Sequence, residues 1–222
     1  MKFLAAAAAS ILLAVPASAA TIEFNVNGGW WTSDARVYEG DGHSVTVTAG
    51  RYSNKGEPVR GKTMTMSWGG HAGGLGVCSP GTQSRSASSA GCWRDEHTVD
   101  GHGGNEMVYF DFGDHMMRII GVTMAYWDRH DSMEMYAFDG DGYVAGHETV
   151  YGARGDGFVH TIGDHGLNTG YVFGIGAKDK KADFKIKAIH FEKVEVVPLP
   201  AAGWLMLGGL GGLAAMRRRK KS

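Results

Sequence analysis

Between residues 21 and 196 the apolar residues never hold a helical period; they come in short alternating runs closed by glycine. The clearest is 43–49, where Val45 and Val47 fall on one face and Thr46 and Thr48 on the other. In 62–68, Met64, Met66 and Trp68 share a side, and in 106–112 Val108, Phe110 and Phe112 do. Residues 21–26, 118–127, 133–138, 157–162, 170–175 and 183–196 are further runs rich in β-branched and aromatic side chains. The chain has 35 glycines, and Asp-Gly clusters at 40–42, 139–142 and 155–157 supply turn chemistry. Glycine accepts positive φ, and aspartate bonds its own backbone two residues on. Many short strands separated by such turns predict an all-β sandwich or barrel.

The two ends do not share this grammar. Met1-Lys2, an apolar stretch over 3–15 and Pro16-Ala17-Ser18-Ala19-Ala20 make a signal peptide over 1–20, helical in its apolar part, with the cut after Ala19 or Ala20. At the other end, 196–216 is an uncharged run of 21 residues, enough for a transmembrane helix. Arg217, Arg218, Arg219, Lys220 and Lys221 follow it. Such a cluster stays cytoplasmic, so the part before Val196 is expected outside. The expected layout is a signal peptide (1–20), one β-sandwich ectodomain (21–196) and a tail (197–222).

Removing both ends changes the charge. The formal value is −1, but six of the 22 cations lie in the end segments and none of the 23 acids does, which leaves the ectodomain near −7. An acidic exterior domain excludes nucleic acid as a partner, because phosphate contacts need a cationic face. It also disfavours an acidic polysaccharide unless divalent cations bridge the two. Cys78 and Cys92 form an even pair in an exported chain, and a disulfide is expected. The alternative, a pair of metal-binding thiolates, lacks the short spacing of zinc sites.

The tail reads Val197-Pro198-Leu199-Pro200-Ala201, then the uncharged span, then the Arg cluster and the chain end. In that order of parts it resembles the PEP-CTERM class of sorting signals, in its VPLPA variant. The resemblance implies an exosortase, a membrane protease-transpeptidase, as partner and cleavage near the motif. It further implies an inner-membrane intermediate, then the cell surface or extracellular matrix of a Gram-negative bacterium. An unprocessed C-terminal anchor is the plainer reading of the same residues. A second likeness runs over 74–142. Gly74-Leu75-Gly76-Val77, then Asp95-Glu96-His97-Thr98-Val99-Asp100, then Gly103-Gly104-Asn105-Glu106 is similar to the core of many proteins bearing such tails. That likeness implies a single jelly-roll-like β-sandwich and lends no catalytic residues. The chain departs from the pattern at Gly101, where Asn is frequent, and in the insertion between the cysteines.

Asp95, Asp100, Asn105 and Glu106 crowd one loop-to-strand junction with hard oxygen donors, which is what calcium requires. Turn and strand-start capping by the same acids is the competing reading. Asp128, Asp131, Asp139 and Asp141 form a second acidic group flanking 133–138. The ten histidines show no metal spacing and are expected scattered at the surface. No nucleophile elbow occurs. Trp30, Trp31 and Trp93 are aromatic faces suited to sugar rings or to packing. The function expected is non-catalytic, with no required cofactor: a structural or carbohydrate-binding role linked to exopolysaccharide. A secreted polysaccharide hydrolase or lyase and a calcium-stabilised adhesin-like module are the alternatives.

Overall fold

The fold is given by a computed structural model describing residues 19–24, 35–52, 58–67, 73–78, 98–101, 105–139, 141, 144–151, 159–163 and 168–194, with 52, 58–67, 78 and 144–148 as backbone alone. The described residues form strands β1 (Ala19–Glu23), β2 (Ala35–Gly40), β3 (His43–Tyr52), β4 (Pro58–Ser67), β5 (Gly76–Cys78), β6 (Val99–Asp100) and β7 (Glu106–Asp111). They continue with β8 (Met117–Ala125), β9 (Ser132–Phe138), β10 (Val144–Tyr151), β11 (Val159–Thr161), β12 (Thr169–Gly170), β13 (Val172–Ala177) and β14 (Asp183–Lys193). There is no helix among them. The all-β expectation holds, as two antiparallel sheets consistent with a sandwich.

One sheet has six strands in the order β1-β14-β8-β11, with β12 beside β8 and β6 beside β14. The other has eight, in the order β10-β9-β13-β7-β3-β4-β5, with β2 beside β3. The core lies between them. Val45, Val47, Val108, Phe110 and Phe112 come from one side, and Ile119, Val122, Phe184, Ile186 and Phe191 from the other. Each fully buried side chain of this kind contributes about 1.5–3 kcal/mol. Phe112 meets Phe191 across the gap at 4.9 Å between ring centroids.

The eight-stranded sheet is apolar on its other face as well. Met107, Tyr109, Tyr136, Phe138 and Val172 form a second buried cluster there. Alternation alone did not announce it, since β7 reads as an unbroken apolar run from Met107 to Phe110. Four strands were absent from the sequence expectation: β2, β10 and the short β5 and β6. In β2 the alternation leaves Val37 exposed and Tyr38 only half-buried, so the apolar signal is faint. The strand exists because Asp41 and Gly42, at φ 48° and 77°, turn it back onto β3.

The two ends of the described chain meet. β1 and β14 are antiparallel neighbours, with Ala19 opposite Glu192. The Val194 N–H donates to the Met116 carbonyl at 2.9 Å, beside the turn joining β7 to β8. Ala19, Lys193, that turn and the Asp41-Gly42 turn therefore share one end of the sandwich. The β8–β9 loop (126–131), the turn before β14 (178–182), Glu106 and Tyr151 lie at the opposite end.

Candidate functional site

Much of the described polar chemistry gathers at the end away from Ala19 and Val194. Of the calcium candidates, Asp95 lies outside the described residues. The other three are brought together, each in a structural bond. Glu106 is fully buried at the start of β7 and its Oε2 accepts the Asp100 N–H at 3.2 Å. Asn105 Nδ2 donates to the Lys178 carbonyl at 3.2 Å. Gly101 N–H donates to Ala182 O at 3.1 Å. These bonds fasten the segment before β7 to the turn before β14. Gly101 backs onto the Asp179 carbonyl so closely that a Cβ there would collide with it, which accounts for glycine at this position. Among the described residues, no group of three or more His, Cys, Asp or Glu is placed to hold a metal ion.

The second acidic group is split. Asp128 and Asp131 sit in the β8–β9 loop, while Asp139 and Asp141 follow β9 at the other end of the sandwich. Asp131 is buried, with Oδ1 accepting the Asp183 N–H at 2.8 Å and Oδ2 accepting the Asp128 N–H at 2.5 Å. Burial raises its carboxyl pKa, and the two backbone bonds oppose that rise. Asp128 is exposed and held low, first by the His130 backbone N–H at 2.6 Å and then by the His130 ring. Both act as loop braces.

Two histidines depart from the surface expectation. His160 is buried, its ring 4.6 Å from that of Trp127. His190 is half-buried on the outer face of the six-stranded sheet, where Nδ1 pairs with Thr21 Oγ1 at 3.0 Å and Nε2 with Thr123 Oγ1 at 2.8 Å. Burial lowers the pKa of both. In each case the histidine occupies a strand interior, and its neighbours decide which face it shares.

The arrangement that sequence reading missed is centred on Lys178. Its N–H donates to Ser132 O at 3.1 Å, and its carbonyl takes the Asn105 amide. Its Nζ donates to Thr149 Oγ1 at 3.2 Å and stands 3.6 Å from Glu134 Oε1. Tyr136 Oη donates to Glu134 Oε2 at 3.0 Å. The ammonium lies over the Tyr151 ring, 5.5 Å from its centroid, and Tyr151 is 65% exposed. Burial opposes the Lys178 charge, but Tyr151, Glu134 and Asp179 outweigh it and hold the ammonium pKa above its ordinary value. A similar pair, Lys185 over Tyr126 at 5.4 Å, occupies the same end of the molecule on the other sheet. The only hint in the sequence was the β-rich His147-Glu148-Thr149-Val150-Tyr151, hidden between glycines.

Cys78 closes β5 and Cys92 lies outside the described residues, as do Trp30, Trp31, Trp93, the motif Val197 to Ala201 and the cluster Arg217 to Lys221. Comparison with family models, with curated proteins and with solved structures gives no match.

Proposed function

We propose that this is an exported protein, sorted by an exosortase to the cell surface or extracellular matrix. Its role is non-catalytic, structural or carbohydrate-binding, and linked to exopolysaccharide. The ectodomain is a jelly-roll-like sandwich, and the tail crosses the inner membrane until it is processed. The observation that supports this reading is the pairing of β1 with β14. It puts Ala19 and Val194, where the described chain starts and stops, at one end of the sandwich, with Lys178 at the opposite end. A domain tethered so presents its polar and aromatic side chains to the surroundings of the cell. Intact-mass analysis of the surface fraction from the native host tests the sorting. A chain lacking both the leader and the Arg cluster is expected. Recovery there of a chain still ending at Ser222 overturns it.

A further inference from the structure

We propose that Tyr151, Lys178, Glu134 and Thr149 form a binding subsite for a neutral pyranose unit of a glycan. The proposal rests on the carbohydrate-binding reading above and gives it a place and a ligand class.

A pyranose has an apolar face of C–H groups and a rim of hydroxyls that both donate and accept. Tyr151 supplies the aromatic surface for the first, being the most exposed large apolar residue among the described ones. The rim meets three complementary groups on one connected network: the Lys178 ammonium donates, the Glu134 carboxylate accepts and the Thr149 hydroxyl does either. These groups are positioned in advance. Lys178, the residue that follows β13, is fixed through both backbone groups and its Nζ, and Glu134 on β9 through Tyr136, with Thr149 and Tyr151 on the adjoining β10. A site built on strands keeps its geometry better than one on a free loop. Charge selects the neutral sugar. Lys178 and Glu134 cancel, Asp179 is followed by Lys180 and Lys181 in the same turn, and the ectodomain as a whole is near −7, so the long-range field of the domain disfavours a uronate.

The test is calorimetric titration of the host-processed protein with neutral hexasaccharides (cello-, manno-, laminari- and chito-hexaose) and with hexagalacturonate. At least one neutral probe is expected to bind, and Tyr151→Ala to weaken it about tenfold or more. Lys178→Met is expected to weaken it too, while Tyr126→Ala leaves it unchanged. Melting curves of each variant confirm that it folds. Failure of every neutral probe, unchanged affinity in Tyr151→Ala, or binding of hexagalacturonate alone overturns the assignment. Retention on the host's own exopolysaccharide separates the two claims. If wild type and Tyr151→Ala are retained equally, the carbohydrate-binding reading stands and this subsite falls. If neither is retained and no probe binds, both fall.

Discussion

Glu106 is an ionisable side chain with no exposed surface, and its carboxyl oxygen holds the Asp100 N–H. Removing one partner of a buried bond costs the desolvation of the other, about 1–3 kcal/mol. Glu106→Ala is therefore expected to lower stability by about that amount, equally in EDTA and in millimolar calcium; melting curves in the two media check it. A loss that appears only with calcium present would restore the metal reading of Asp100, Asn105 and Glu106. His160 makes a second test at this scale. Its folded pKa lies below the ordinary 6.5, because burial disfavours the imidazolium. The unfolded chain then binds the proton more readily, so stability is full above about pH 6.5 and falls as pH drops toward the folded pKa. His190 works in the same direction, though its two threonine hydroxyls can accept from the charged ring. Asp131 works oppositely: burial raises its carboxyl pKa, so its share is full below the ordinary 3.8 and is lost as pH rises through the folded value. The midpoint of thermal unfolding should fall between pH 7.5 and 5.5, and His160→Phe should flatten that slope. An unchanged slope would remove His160 as its source.

At the scale of single elements, legibility followed the clarity of the period. β3 could be read because Val45-Thr46-Val47 puts apolar residues on every second position, and β7 because Met107 to Phe110 is a continuous run of strand-forming apolar residues. β14 shows where the rule bends. Phe184 and Ile186 face the core, and so do Ile189 and Phe191, three residues on rather than two. A register shift between Ile186 and Ala188 accommodates the odd step. The spacing was visible in the sequence, but the pairing that makes sense of it involves β8, more than sixty residues earlier. The Lys178 network was illegible for the same reason: its partners come from β9, from β10 and from Asn105 ahead of β7, and β10 carries no clean alternation. The β2–β3 turn, by contrast, was legible from Gly40-Asp41-Gly42 alone. Gly42 stands at φ 77° with open space where a Cβ would project, so a substitution there meets backbone strain and no clash. Gly42→Val should cost about 1–2 kcal/mol, measured by denaturant unfolding. A neutral result would show that the hairpin relaxes into another turn.

For the whole molecule, the decisive fact is that the described chain starts and stops on neighbouring strands. β14 has 11 residues, and at about 3.3 Å per residue it spans about 35 Å, roughly the distance between the two ends of the sandwich. From Lys193 to Val196, where the uncharged run begins, there are three residues, which reach at most about 11 Å when fully extended. That tether is shorter than the sandwich is long. If the tail spans a bilayer, the end bearing His115 stays near the headgroups, and the end bearing Arg129 cannot take its place by inversion. Depth quenching in proteoliposomes tests this. Unprocessed full-length chain is labelled with a fluorophore at His115→Cys or at Arg129→Cys, with nitroxide placed on the lipid headgroups. Both positions are exposed, so labelling does not disturb the core. Strong quenching is expected at 115 and little at 129. Equal quenching would mean that the sandwich lies flat on the bilayer, which would bring Tyr151 and Lys178 toward lipid and leave the glycan subsite without its open approach.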